Sequence, residues 1–315
     1  MNNVLVVGGA GYVGGAVTDF IRDSRSNVRV YDNLLYEDSF RKNVDFVYGD
    51  VRDTTRLLPH LQWADAVVWL SAIVGDGACQ LNPELTVAIN EGTVEWLSKH
   101  FDGRIIFMST CSVYGAQGKE LDEHSPTNPL SLYASTKLRA EAFLQQKNAI
   151  IFRLGTLFGV GDEYARIRLD LVVNALTVKA HTVGSISVFG GDQFRPLLHV
   201  KDVARAIVAN LQTEHCGVFN LHRQNVRIVD LAYQIRNHFP DCVIERTEMP
   251  FQDTRNYRAS SKKAKDVFQF NAVHSIDEGI EELKFLVETG RIKDLNSNRY
   301  SNQAYLAYMK SLKAA

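Results

Sequence analysis

The feature that most constrains the fold is the opening run Val4-Leu5-Val6-Val7, which leads directly into Gly8-Gly9-Ala10-Gly11-Tyr12-Val13-Gly14-Gly15. Four apolar residues without alternation suit a central parallel strand covered on both faces. The glycines at Gly8, Gly11 and Gly14 suit a tight strand-to-helix turn. Gly8 makes the turn, Gly11 lets backbone approach a pyrophosphate, and Gly14 lets helix and strand pack closely. The following run Ala16-Val17-Thr18-Asp19-Phe20-Ile21 reads as a helix whose free N–H groups and positive dipole end face an anion. A second buried strand, Val28-Arg29-Val30-Tyr31, ends at Asp32, roughly 20 residues beyond the glycines, where a carboxylate can hydrogen-bond a ribose 2′-hydroxyl. That carboxylate repels a 2′-phosphate and no arginine directly follows it, so the pattern favours NAD over NADP.

Strand and helix patterns alternate through roughly the first 155 residues, the signature of a doubly wound α/β parallel sheet. Strands are predicted at Asp45–Tyr48, Ala66–Leu70, Arg104–Met108 and Ala149–Arg153, and helices at Pro83–His100 and Leu132–Lys147. Beyond Gly155 the pattern becomes irregular. Helices are predicted near Leu169–Ala180, Val200–Gln212 and Arg227–His238, with short strands such as Ser187–Phe189 between them. The reading is a dinucleotide-binding domain over 1–165, with a return segment near 197–222. A smaller, mainly substrate-binding lobe covers 166–315 and lies over the sheet edge. The polar tail after Lys293 ends in a predicted surface helix, Asn302 to Leu312.

Charge excludes several partners. With 35 basic and 36 acidic residues the net charge is -1, which leaves no electrostatic footprint for nucleic acid or a membrane surface. No apolar run approaches the roughly 20 residues that span a bilayer, and the first strand begins too early for a signal peptide. The four cysteines, Cys79, Cys111, Cys216 and Cys242, have no metal-ligand spacing. Reduced thiols in a cytoplasmic protein, with no bound metal, are the expectation. His199, between an apolar run and a helix, reads as a buried structural histidine.

Tyr133-Ala134-Ser135-Thr136-Lys137 places a phenol and an ammonium four residues apart on one helical face. An ammonium beside a phenol favours phenolate, so Lys137 is expected to lower the Tyr133 pKa from about 10 and make it an acid/base near neutral pH. The strand at Arg104–Met108 feeds Ser109-Thr110-Cys111-Ser112-Val113-Tyr114-Gly115. Thr110 therefore falls at a strand end, where it can hydrogen-bond a sugar oxygen.

Together these motifs resemble the extended short-chain dehydrogenase/reductase family, in its nucleotide-sugar epimerase/dehydratase branch. The resemblance also rests on Tyr31-Asp32-Asn33-Leu34, Gly49-Asp50-Val51, Asn90-Glu91-Gly92-Thr93 and Arg195-Pro196-Leu197-Leu198-His199-Val200-Lys201-Asp202. It implies a Rossmann sheet with a C-terminal substrate lobe, and NAD cradled by Gly8, Gly11, Tyr12, Val13, Gly14, Asp32 and Asn33. Asp50 and Val51 would contact adenine. Leu70, Ser71 and Ala72 would line the nicotinamide side, with Asn90 supporting that loop. Thr110, Tyr133 and Lys137 match the catalytic triad, and Lys137 would also bind the nicotinamide ribose. Arg195 and Arg255 match arginines that meet a nucleotide diphosphate, which each can bind in bidentate fashion.

The family's 4,6-dehydratases carry an Asp-Glu pair immediately after the threonine. Here those positions are Cys111 and Ser112, neither a carboxylate, which argues against water elimination and makes both candidates for the sugar pocket. What remains is hydride transfer at one sugar carbon, with epimerisation and net 4-dehydrogenation or 4-ketoreduction both open. The segment Ala165–Asn174 resembles a subgroup acting on activated sugars for surface polysaccharides, GDP-heptose among them, where Asn174 would face substrate phosphates. Cys79 and His124 are further candidate proton donors. The family often dimerises through helices such as Pro83–His100 and Leu132–Lys147, so a homodimer binding a nucleotide-diphosphate sugar is expected. A rival of another class, an inactive NAD-sensing protein, would be expected to have lost the Tyr-Lys pair, and both residues are intact.

Overall fold

The computed structural model describes residues 2–22, 26–164, 166–247 and 256–314. Among these, seven parallel strands form the central sheet. Their spatial order is Gly217–Leu221, Ala149–Leu154, Arg104–Thr110, Ala66–Trp69, Asn3–Val7, Asn27–Asp32 and Asp45–Tyr48. The chain enters in the interior at Asn3–Val7, winds outward to Asp45–Tyr48, then returns to Ala66–Trp69 on the other side. That reversal opens a crevice at the carboxyl ends of the two strands. The expected doubly wound sheet is what the chain forms.

Alternation within the apolar run explains why helices cover both faces. Val4 and Val6 bury against Ala16, Val17 and Ile21 of the helix Tyr12–Arg22 and against Val203 and Ile207 of the helix Val200–Ala209. Leu5 and Val7 face the opposite way, into Leu57 and Leu61 of the helix Thr54–Trp63, Leu97 of Thr93–His100, and Ala140 and Leu144 of Leu132–Leu144. Each fully buried Val, Leu or Ile side chain contributes about 1.5–3 kcal/mol.

Three boundaries differ from the sequence expectation in ways that shape the crevice. The helix predicted over Pro83–His100 is broken into Pro83–Val87, a π-helical turn Ala88–Gly92 and Thr93–His100. The wide turn carries Asn90, whose side chain accepts from Ile73 N at 2.8 Å and donates to Ile73 O at 2.9 Å. The strand Arg104–Thr110 runs two residues further than expected, so Thr110 is its last residue. The helix expected from Leu169 begins at Val172, which leaves Asp170 and Leu171 in loop conformation beside the crevice.

The second lobe is built from small sheets. Phe194–His199 pairs antiparallel with Gln224–Arg227 and parallel with Thr156–Phe158, while Ser185–Phe189 pairs with Val243–Thr247 and Ala116–Leu121 with Asn256–Ala259. Phe158, Val173, Ile186, Val188, Leu197, Leu231, Ile235 and Ile280 form its core. His199 is fully buried there. It caps the helix Val200–Ala209 by accepting from Lys201 N at 3.1 Å, and its Nε2 meets Glu282 at 3.0 Å. The C-terminal helix Asn302–Ala314 is more than a surface helix. Its first residue is buried and donates to Val74 O at 2.9 Å, so its N-terminal turn lies against the crevice.

Candidate active site

A cleft of about 1000 Å3 runs along the crevice, bounded on one wall by the strand ends of the first half and on the other by the second lobe and C-terminal helix. Gly8, Gly11, Tyr12, Val13, Gly14, Asp32, Asn33, Asp50, Val51, Leu70, Ser71, Ala72, Thr110, Ser112, Tyr133, Lys137 and Arg195 all line it. Gly8 sits at φ +86° with its N–H on Tyr31 O at 2.9 Å, and a Cβ there would lie 2.6 Å from Ser71 N. A Cβ on Gly14 would lie 2.5 Å from Gly9 Cα, whereas one on Gly11 meets nothing closer than 3.4 Å. Gly8 and Gly14 are therefore required by the fold itself. Gly11 is glycine where the backbone faces the cleft. The first-turn N–H groups of Tyr12–Arg22 lack helical acceptors, and an elongated dinucleotide fits this cradle.

Asp32 uses one oxygen to accept from Ala10 N at 3.0 Å and the other from Leu34 N at 2.7 Å, tying the glycine loop to the loop after the second strand. Burial pushes its carboxyl above the ordinary range, and these N–H donors oppose that shift. Asp50 is gripped by Arg52, which holds its carboxyl low. Asn90 does not line the cleft. It acts one layer behind, pinning the Ile73 loop.

The helix Leu132–Leu144, which carries Tyr133 and Lys137, is capped by Ser131, whose hydroxyl accepts from Ala134 N at 3.2 Å. One helical turn separates Tyr133 from Lys137, but the ammonium does not act as expected. It donates to Met108 O at 2.8 Å, and burial lowers Lys137 to about 8. Burial pushes the Tyr133 phenol up instead of down; the cation that opposes this is Arg168. Desolvation of a phenol with no ammonium in contact outweighs the expected electrostatic lowering. Thr110 Oγ1 accepts from Ser112 N at 3.1 Å, which fixes the hydroxyl at the strand end.

Behind this centre lies a buried network that motif reading missed. Arg153 forks onto Glu141 at 2.7–3.2 Å and donates to Tyr114 Oη at 2.9 Å, and Ser109 also donates to Glu141. Glu141 is one turn beyond Lys137 on the same helix face, so the ion pair ties this helix to the strand Ala149–Leu154, while the Ser109 hydroxyl ties it to the strand that ends at Thr110. Helix spacing from Tyr133 and Lys137 was a signal that pointed to Glu141.

Several expected site residues lie elsewhere. Cys111 is fully buried away from the cleft, packs with Val113, Tyr114 and Tyr257, and donates its thiol to Arg153 O at 3.2 Å. A turn of 3-10 helix at Cys111–Tyr114 directs Cys111 inward and leaves Ser112 on the cleft, 3.2 Å from Tyr257 Oη. Asn174 is also fully buried. It accepts from Gly159 N at 3.0 Å and donates to Arg168 O at 2.9 Å, bracing two loops through backbone. Cys79 is buried against Ile73 O and pushed up to about 12, and His124 sits on an exposed turn outside the cleft. Arg255 lies outside the described residues. Conversely, Tyr36, Arg166, Arg168, Asp170 and the segment Ser301–Gln303 line the cleft without having been expected there. Among the described residues no His, Cys, Asp and Glu cluster could hold a metal, and no helix is long and apolar enough to cross a membrane.

Residues 4–221 match the sequence model of the NAD dependent epimerase/dehydratase family, and the chain belongs to that family, whose cofactor is NAD. A putative UDP-glucose 4-epimerase of Methanocaldococcus jannaschii is 29% identical over 227 residues, which cover 64% of this chain and 71% of that protein. A UDP-glucose 4-epimerase of Corynebacterium glutamicum is 24% identical over 305 residues, 86% of this chain and 91% of that protein. Among solved structures, a UDP-glucose 4-epimerase of Thermotoga maritima with UDP-glucose superposes with a TM-score of 0.79 at 22% identity, over 91% of this chain and 99% of that one. At that identity the superposition shows a shared fold.

Proposed function

We propose that the protein is a nucleotide-sugar epimerase or C4 oxidoreductase that uses Tyr133 as its acid/base. The observation that carries this reading is the continuity of one cleft from the glycine cradle to Tyr133, Thr110 and Arg195. NAD, when bound, supplies the hydride acceptor and donor for the sugar carbon. Gly11 and the first turn of Tyr12–Arg22 would hold its phosphates, and Asp32 its ribose. Tyr133 exchanges a proton with the sugar hydroxyl at Oη, and the rise that desolvation causes makes the phenol a proton donor until a cation offsets it. Thr110 fixes the sugar oxygen by hydrogen bond. Lys137, protonated below about pH 8, contributes the positive charge and anchors the helix to Met108 O.

The nucleotide end of the sugar would lie along Arg195, Gln193, Phe189 and Tyr257. Elimination of water is disfavoured because the two residues after Thr110 supply no acid: Cys111 is buried with its thiol pushed up, and Ser112 is a neutral hydroxyl facing Tyr257. A cytoplasmic homodimer formed through the Thr93–His100 and Leu132–Leu144 helices completes the reading, with sugars of polysaccharide biosynthesis as substrates. Net oxidation or reduction with cofactor exchange uses the same residues.

Mass spectrometry of what gentle denaturation releases from the purified protein separates these outcomes. Near-stoichiometric NAD(H) supports a cofactor recycled within each turnover, as epimerisation requires. An empty site with reversible NAD(H) binding favours net oxidation or reduction. No NAD(H) binding at all would sink the cofactor reading.

A further inference from the structure

The charges along the cleft are divided between its walls. Every charged residue that the first 131 positions contribute to the lining is an acid: Asp32, Glu37, Asp50 and Asp76. Lys137, the one cation of the catalytic helix in the lining, is deep and committed to Met108 O. A dinucleotide brings a dianionic diphosphate into this space. Backbone N–H groups and a helix dipole attract it, but the same wall's carboxylates oppose it.

Cations arrive from across the cleft on the loop 166–170. The guanidinium of Arg166 donates to Arg299 O at 2.8 Å and to Asn302 Oδ1, both neutral acceptors. Arg168 is about nine-tenths buried. Its Nε and Nη2 fork onto Asp170 at 2.9 and 3.1 Å. Asp170 in turn accepts from Asn302 N at 2.9 Å. The loop 166–170 itself carries two arginines and one carboxylate, and Glu37 of the opposite wall accepts from Arg166 N at 2.8 Å. Asp170 takes only one edge of the Arg168 guanidinium, so the Nη1 edge remains for a ligand. The guanidinium carbon lies 5.9 Å from the ring of Tyr12, the first residue of the cradle helix, and its charge is felt by the Tyr133 phenol. Arg168 thus lies beside the first turn of the cradle helix, in the same cleft as Tyr133.

We propose that Arg168 is the cation of the NAD diphosphate site, carried across the cleft by the second lobe and held in place through Asp170 by Asn302 of the C-terminal helix. The inference rests on the NAD reading above. A guanidinium fixed on one edge by a carboxylate presents the other in a set direction, so its hydrogen bonds to phosphate lose little side-chain freedom. It follows that the C-terminal helix, whose Asn302 also donates to Val74 O, controls how tightly cofactor is held.

The test is NADH binding, followed by fluorescence on the full chain stripped of nucleotide, for wild type, Arg168→Met, Arg168→Lys and Asn302→Ala. ADP-ribose, adenosine and UDP-glucose serve as further probes, and thermal melting confirms that each variant folds. Arg168→Met is expected to weaken NADH and ADP-ribose by at least about tenfold, to flatten the salt dependence of their binding, and to leave adenosine and UDP-glucose unchanged. Arg168→Lys should keep part of the affinity, because it retains charge but not the fork. Asn302→Ala keeps the backbone N–H that holds Asp170 and removes the side-chain bonds to Arg166 and Val74 O, so it should raise the NADH dissociation rate less than Arg168→Met does. Unchanged NADH affinity in Arg168→Met would overturn the proposal, and a selective loss of UDP-glucose would reassign the residue to the substrate. Failure of the wild type to bind NADH would overturn the NAD reading itself.

Discussion

The two walls of the cleft are made in different ways. The near wall is assembled from segments whose partners are close in sequence or on adjacent strands. Asp32 reaches Ala10 and Leu34, Thr110 holds Ser112, and Ser131 caps the helix of Tyr133. The far wall is held by contacts between remote parts of the chain: Arg166 with Asn302, 136 residues on, and Asn302 with Val74, 228 residues back. The near wall carries backbone N–H groups, the Asp32 carboxylate and the Tyr133 phenol. The far wall supplies positive charge. Chemistry is thus written in compact motifs, while the electrostatic balance of the site depends on how the chain closes on itself.

That contrast can be tested directly. The largest effect should come from the acid/base proposed for the near wall. Tyr133→Phe removes only a hydroxyl, and steady-state turnover of a nucleotide sugar is expected to drop about 10²–10⁴-fold with NADH affinity retained. Turnover close to wild type would mean that the near wall is not where the proton moves. Next is the bolt behind that wall. Arg153→Met strands the buried Glu141 carboxylate, and urea unfolding should show a loss of about 3–5 kcal/mol. A loss below about 1 kcal/mol would show that the helix Leu132–Leu144 is held by packing alone.

Two glycines of the same loop then separate fold from binding. Gly14→Ala drives a Cβ into Gly9 and should cost about 1–3 kcal/mol of stability. Gly11→Ala, with open space toward the cleft, should melt near wild type yet bind NADH poorly. Equal melting temperatures for the two variants would contradict this division. The smallest effect is in pH. Lys137 is protonated below about 8 and neutral above, so kcat/KM should fall as pH rises through about 8. A profile flat to pH 9.5 would remove Lys137's charge from the mechanism.

How much of this was legible in the sequence follows the same line. The glycine spacing, the unbroken apolar run and the Tyr133–Lys137 interval reflect local geometry, which a linear pattern can express. Cys111 and Asn174 were misread because adjacency to a motif does not fix the direction of a side chain. One turn of 3-10 helix turns Cys111 inward while Ser112 stays on the cleft. The Tyr133 pKa was misread because spacing along a helix cannot report desolvation. Arg168 and Asp170 sat inside a segment singled out by resemblance, but nothing local distinguishes a buried arginine at a ligand from an exposed one.

The sequence alone therefore determined the doubly wound sheet, the cradle at Gly8–Gly14, Thr110 at a strand end and Tyr133 and Lys137 one turn apart on one helix, because each depends on backbone periodicity and on turns only glycine tolerates. Tertiary structure alone decided the direction of the Tyr133 shift, the Glu141–Arg153 bolt and the cationic far wall pinned by Asn302. Burial and long-range charge depend on which remote segments meet, and local pattern carries no record of that.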